Sequence, residues 1–274
     1  MEGSWETSCT FPFFLDSAQE AVMTLFFARL FTVLVLLLFA PWHTHAKEVG
    51  KIRVDTALVL AMDTSGSIDA PEFALQRAGY AAAFLDDGVV AALTSGKYGR
   101  SVVTFVQWSG PYHQMQVIGW RIIASSSDAA ILAATISAMP RAPQNRYDQT
   151  IFSTSISAAL RYSTTLLTTA PFSASRLVID ISGDGVDEHT SPSRESVPLM
   201  QARQDALDNG ITINGLPILE AAEPSGTFVS KLESYYSEYV IGGPGCFLIA
   251  AKGNRNFAEA IRRKLVEELM FAQR

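Results

Sequence analysis

The chain reads as an α/β protein: an open, doubly wound, mostly parallel sheet with helices on both faces and one antiparallel edge strand. Three observations predict this. Apolar, β-branched runs alternate with segments of helical spacing, and strand–helix alternation produces a parallel sheet covered on both faces. The main runs are apolar throughout rather than at every second residue, as in strands buried on both sides. A single Ser-Gly-Pro turn, Ser109–Pro111, joins two strand-like runs directly and makes one hairpin.

Each element follows from local chemistry. Val54–Met62 is a mostly apolar run that ends in polar and glycine residues, a buried strand. Pro71-Glu72 opens a helix to about Leu85, with Pro in the first turn, where its missing N–H costs nothing. Phe73, Arg77, Tyr80, Ala81 and Phe84 lie along one side of it, and a short helix follows at Val89–Leu93. Ser101–Trp108 is β-branched and aromatic, hence strand, and Tyr112–Ile118 is its returning partner. Ser127–Met139 is a helix with Asp128 in its first turn; Pro140–Gln149 is a polar loop; Thr154–Leu167 is a helix. Arg176–Ser182 is a second buried strand. Val197–Asn209 is a helix closed by Gly210, a residue type that ends helices without steric cost. Ile211–Leu216 is strand, Phe228–Tyr236 helix, Cys246–Ala250 strand, and Phe257–Phe271 a final amphipathic helix.

The 274 residues are 48% hydrophobic and 18% charged, which excludes a disordered, collagen-like or coiled-coil chain. The net charge is −6 with no Lys/Arg-rich run, so nucleic acid is not an expected partner. Two cysteines and four histidines supply neither a disulfide framework nor a zinc site.

Residues 1–46 are expected to be a signal peptide. Arg29 precedes the uncharged run Leu30–Trp42, and Thr44-His45-Ala46 has the small residues of a cleavage site. That run is too short to span a bilayer, so a membrane enters only if the segment stays uncleaved. Glu2, Glu6, Asp16 and Glu20 do not suit a basic leader, and Met23 is read as the true start. Cleavage removes one basic and four acidic residues and leaves 47–274 as one domain with 20 basic and 23 acidic residues, a net −3. Cys9 also goes, leaving Cys246 alone, so the exported domain stands on its hydrophobic core. The expected location is periplasmic or secreted.

Ligands of open α/β sheets bind beyond the carboxyl ends of strands, where strand order reverses. Three loops there carry oxygen donors. The first strand runs into Asp63-Thr64-Ser65-Gly66-Ser67, with Asp, Ser and Ser at alternate positions. The second buried strand ends in Gly183-Asp184-Gly185, and Thr154 opens a helix from a third loop. Carboxylate and hydroxyl oxygens are hard ligands, suited to Mg²⁺, or to Mn²⁺ or Ca²⁺.

Asp63-x-Ser65-x-Ser67, Thr154 and Asp184-Gly185, in that order and approximate spacing, resemble the metal-ion-dependent adhesion site (MIDAS) of von Willebrand factor A domains. The resemblance covers about 52–274. More narrowly, Gln76–Tyr80, Val178–Gly185, Ile213–Ile218 and Ile241–Gly245 resemble an exported bacterial branch of von Willebrand A-like proteins of undefined function. The resemblance implies that Ser65, Ser67 and Thr154 touch a metal directly or nearly so, and that Asp63 and Asp184 act largely through water.

Neighbouring residues admit plainer readings. Arg141 and Arg146 in the loop before Thr154 could repel a cation or help bind an acidic partner. Asp187, after Asp184, could contact a partner, although Asp187, Glu188 and His189 also suit a solvated loop. Asp180, inside a strand, is expected to accept hydrogen bonds from backbone or from Asn214, or to sit behind the metal. Gly242-Gly243-Pro244-Gly245 lacks the lysine of a phosphate loop and reads as a turn. Cys246 reads as a small core residue, Trp108 and Trp120 as packing under the hairpin, and Arg262, Arg263, Lys264, Glu267 and Glu268 as a solvated helix face.

The function expected is a divalent-cation-dependent binding module, for adhesion or assembly, that ligates an acidic side chain of another protein and transforms no substrate. The alternatives are a metal-dependent hydrolase and a metal-free structural or assembly domain.

Overall fold

The computed structural model describes residues 51–143, 153–188, 198–219, 227–252 and 256–270. The expected leader, Arg146 and His189 lie outside them. Among the described residues six strands form one sheet: β1 (Ile52–Asp63), β2 (Ser101–Trp108), β3 (Gln114–Ile123), β4 (Phe172–Gly183), β5 (Ile211–Leu219) and β6 (Ala251–Lys252). Their order is β3-β2-β1-β4-β5-β6, parallel except for the β2–β3 hairpin at the edge. The chain leaves β1 on one side to build β2 and returns on the other to build β4, so the strand order reverses at the end of β1.

Side-chain alternation sorts the helices. Leu58, Leu60 and Met62 of β1 and Val178 of β4 face a core with α1 (Ala70–Ala83), α2 (Asp87–Thr94), α3 (Ser126–Ser137) and α7 (Phe257–Met270). Its centre is Tyr80, edge-to-face with Phe105 and Phe257 at 5.3 and 5.6 Å. Ala57, Val59, Ala61, Ile179 and Ile181 face the other core, under α4 (Ile156–Thr168), α5 (Leu199–Asp208) and a π-helical turn, Tyr236–Val240, that extends α6 (Thr227–Tyr235). Each fully buried aliphatic side chain contributes about 1.5–3 kcal/mol, and β1 is buried along ten of its twelve residues.

Helix starts are set by side-chain caps. Asp69 Oδ1 accepts from the Glu72 N–H at 2.7 Å, and Glu72 Oε2 accepts from the Asp69 N–H at 2.9 Å, a reciprocal box that starts α1 just past the Asp63–Ser67 loop. Asp86 caps α2 and Ser125 caps α3.

Two elements depart from expectation. β3 runs to Ile123, beyond Ile118, because its backbone keeps pairing with β2 back to Ser101. Residues 246–250 do not form the expected strand, and β6 is two residues at 251–252. The Phe247 N–H is taken by the Asn214 side chain at 3.0 Å, and the backbone of the segment bonds to β5 at Gly215. Cys246 is therefore half-buried beside the turn rather than in the core. The glycine-rich segment before it is a turn, with positive φ at Gly243 and Gly245.

Candidate functional site

Three loops meet where the strand order reverses. Asp63, the last residue of β1, pairs in register with Trp108 of β2, and Met62 with Ser182 of β4, so the Asp63 and Asp184 loops leave adjacent strands at one edge. Backbone bonds tie the loops together. Thr64 N–H donates to Trp108 O at 2.8 Å, Ser155 N–H to Ser109 O at 2.9 Å, and Glu188 N–H to Thr154 O at 2.9 Å.

Four of the five expected donors form a chain of contacts or near contacts. Asp63 Oδ1 accepts from the Ser65 N–H at 2.7 Å, closing the loop on itself. Ser65 Oγ and Ser67 Oγ are 3.1 Å apart, and Ser67 Oγ donates to Asp184 Oδ1 at 2.8 Å. Thr154, the fifth, is buried beside them. A methyl placed on Gly185 would lie 3.4 Å from Thr154 Oγ1, so the Asp184 loop rests against that hydroxyl. Ser67 and Val186 are exposed and Asp184 half-buried, and the cluster opens outward.

Its inner wall is closed. Among the described residues, Asp63 Oδ2, Tyr236 OH and Trp108 Nε1 are buried and find no hydrogen-bond partner. A methyl on Gly183 would lie 2.9 Å from Tyr236 OH, 3.0 Å from Asp63 Oδ2 and 3.2 Å from Trp108, so the three side chains converge on that glycine. Burial first, and the nearby Asp184 carboxylate second, push the Asp63 carboxyl from 3.8 up to about 7, against the lowering effect of the Ser65 N–H. Burial and the same two carboxylates push the Tyr236 phenol well above 10. Two carboxylates with an unsatisfied buried oxygen, beside three hydroxyls, suit a hard cation. Among the described residues there is no group of three or more His, Cys, Asp or Glu that could hold a metal ion, so any cation here rests on hydroxyl as well as carboxylate oxygens.

The neighbouring residues are scaffolding. Arg141 donates from Nη2 to Thr64 O at 2.8 Å and Ser65 O at 3.1 Å, and so clasps the backbone of the Asp63–Ser67 loop instead of facing a partner. Asp187 is 3% exposed and turned inward. Its Oδ1 accepts from Ser157 N–H and Oγ, both at 3.3 Å, at the start of α4. Glu188 Oε2 accepts from the Thr154 N–H at 3.3 Å, so Asp187 and Glu188 together fix the Thr154 turn. Sequence reasoning read this pair as suiting a solvated loop and missed Tyr236. The available signals were the glycine before Asp184 and two acids within four residues of it.

Asp180 faces the opposite side of the sheet from Asp63 and is not behind the site. Its partner is Lys264 of α7, 2.6 Å away, not Asn214. Lys264 and Glu268 are wholly buried, so that stretch of α7 is no solvated face. Trp108 is buried, and Trp120 packs edge-to-face on Phe172 at 4.8 Å.

A family model described as "Protein of unknown function (DUF1194)" matches residues 53–273. The chain belongs to this family. No curated protein matches this DUF1194 chain. Its fold is that of von Willebrand A domains. The von Willebrand factor domain of the type V pilus tip protein Mfa5 from Porphyromonas gingivalis aligns at TM-score 0.52 and 11% identity, over 81% of this chain and 97% of that one. Proximal thread matrix protein 1 of the mussel byssus, in a structure with a zinc-occupied MIDAS motif, aligns at 0.51 and 13%, over 80% and 49%. The minor pilin PilB from Streptococcus sanguinis aligns at 0.51 and 15%, over 81% and 63%. The DUF1194 chain spans about a third of the length of the pilus adhesin SpaC from Lactobacillus rhamnosus GG and about half that of the mussel protein.

Proposed function

We propose that the domain is an exported binding module that holds a hard divalent cation, Mg²⁺ or Mn²⁺, at Asp63, Ser65, Ser67, Thr154 and Asp184 and grips an acidic side chain of another protein. One observation carries this reading. The buried Asp63 carboxylate, with one oxygen unsatisfied, meets Ser65, Ser67 and Asp184 at the open edge of the sheet. A cation there supplies electrophilic ligation that a partner's carboxylate completes. Ser65, Ser67 and Thr154 offer neutral hydroxyls, so the protein adds no charge beyond the two carboxylates that balance the cation, and a coordination position stays open for that ligand. Arg141 holds the first loop by its carbonyls, and Asp187 and Glu188 hold the Thr154 turn. Beside the cluster a cleft lined by Thr64, Ser109, Tyr112, Met115 and Pro143 presents exposed Tyr112 and Met115 to the residues flanking the acidic one.

The pilus-tip, pilin and byssal-thread proteins of the same fold support a role in adhesion or assembly and an exported location. Among the described residues no helix is long and apolar enough to cross a membrane. Calorimetric titration of Mn²⁺ and Mg²⁺ into the purified chain tests the site. Saturable binding, lost in Asp63→Ala and Asp184→Ala while circular dichroism shows the fold retained, is expected. Partner capture that ignores chelator would overturn cation dependence.

A further inference from the structure

Across the sheet from the candidate site lies a charged cluster that the proposed function does not use. Lys264, Asp180 and Glu268 are each wholly buried. Lys264 Nζ is 2.6 Å from Asp180 Oδ1 and 3.8 Å from Glu268 Oε1. The first contact is short but lacks hydrogen-bond direction: among the described residues neither Nζ nor either Asp180 oxygen has a hydrogen-bond partner. The Phe247 ring lies 5.5 Å from Nζ, and Asn214 Nδ2 donates to Glu268 Oε1 at 2.5 Å.

We propose that Lys264 and Asp180 react to form an intramolecular amide, an isopeptide bond from the Lys264 Nζ to the Asp180 Cγ, with Glu268 as the proton carrier.

The chemistry needs three conditions, which the burial and geometry of the cluster favour. The amine and the acid must both be neutral. In a wholly buried site, transfer of one proton across the 2.6 Å contact would turn the ion pair into amine and acid and avoid burying separated charges. Burial pushes the Asp180 carboxyl up to about 7, with Lys264 pulling it down and Glu268 adding to the rise. A base must stand nearby. Glu268 is wholly buried beside the pair, and Arg176 donates to its backbone carbonyl. The reacting atoms must be held in contact, and a packed core between strand and helix does this continuously.

The step balances. The Nζ lone pair attacks Asp180 Cγ. Glu268 takes a proton from nitrogen, Oε1 closing from 3.8 Å to hydrogen-bond reach, and returns it to the departing hydroxyl. The C–O bond breaks, the N–C bond forms, and one water leaves. Nothing is oxidised or reduced. The product welds β4, which leads into the Asp184 loop, to α7, so α7 cannot peel away when the domain is pulled or heated. A buried ion pair alone adds little stability, and the cross-link gives the burial of three charged groups a purpose.

Trypsin mapping by tandem mass spectrometry of the purified, reduced and denatured chain tests this. A branched species joining residues 177–194 to residues 264–274, lighter than the two peptides together by one water and uncut after Lys264, is the expected result. Asp180→Asn should give the same linkage with loss of ammonia instead of water. Glu268→Gln should leave the two peptides separate in a folded protein. Recovery of the linear Asp180 peptide together with cleavage after Lys264 in the unaltered chain would overturn the proposal and leave an ion pair. Linkage persisting in Glu268→Gln would overturn the proton-carrier role.

Discussion

Gly183 and Gly185 flank Asp184, and the two should respond oppositely to the same substitution. Neither has a φ in the left-handed region, so alanine is permitted by the backbone at both. Alanine restricts the unfolded chain and thereby stabilises by about 0.4–1 kcal/mol where the new methyl fits. At Gly185 it fits, since its nearest neighbour, Thr154 Oγ1, is 3.4 Å away. At Gly183 it does not. Its three neighbours stand at 2.9, 3.0 and 3.2 Å and belong to Tyr236, Asp63 and Trp108, all fully buried and unable to retreat. Overpacking of that kind costs about 1–3 kcal/mol. The net expectation is a loss of about 1–2 kcal/mol for Gly183→Ala and a change between zero and a gain of about 1 kcal/mol for Gly185→Ala. Urea unfolding of both variants in chelator, followed by tryptophan fluorescence, measures the difference. Equal stabilities, or Gly185→Ala as the weaker protein, would refute the packing described at the inner wall. Gly183→Ala should also weaken Mn²⁺ binding, because the methyl displaces Asp63.

Three further outcomes are expected. In chelator, the folded chain keeps a proton on Asp63 between about pH 4 and pH 7 that the unfolded chain has lost, so stability falls as pH rises through that window, by roughly 4 kcal/mol at most; guanidinium melts should show this slope reduced in Asp63→Asn, and an unchanged slope would contradict the burial of that carboxyl. Arg141→Met removes two bonds to loop carbonyls and should cost about 1 kcal/mol and several-fold in Mn²⁺ affinity, read by calorimetry; unchanged affinity would mean the clasp does not hold the loop. Asp187→Ala frees the start of α4 and should cost about 1 kcal/mol in thermal unfolding, with faster hydrogen exchange at the Ser157 amide; protection as in the unaltered chain would argue against the inward position.

Most of the fold was legible because its signals are local. An unbroken apolar run such as Val54–Met62 can be satisfied only between two layers, and the Ser109–Pro111 turn can only reverse the chain, so a parallel sheet with one antiparallel edge follows. Where a side chain competed with the ladder, the reading failed: Asn214 takes the Phe247 N–H, and the strand expected at Cys246–Ala250 does not form. The positions of Asp63, Ser65, Ser67, Thr154 and Asp184 were legible for the same reason, since each stands at the end of a strand or the start of a helix whose place in the sheet was predictable.

The supporting groups were not. Arg141 reaches carbonyls of the Asp63–Ser67 loop across more than seventy residues of chain, Tyr236 comes to the site from a π-helical turn, and Asp180 and Lys264 meet from β4 and α7. Residue types and spacing report the period of an element and the face it buries. By themselves they determined the strands, the helices and the oxygen donors at the strand ends. Which distant element covers that face, and so whether a buried charge finds a cation, a carbonyl or no partner, is decided by the tertiary packing, because burial removes the water that would otherwise satisfy each group alone.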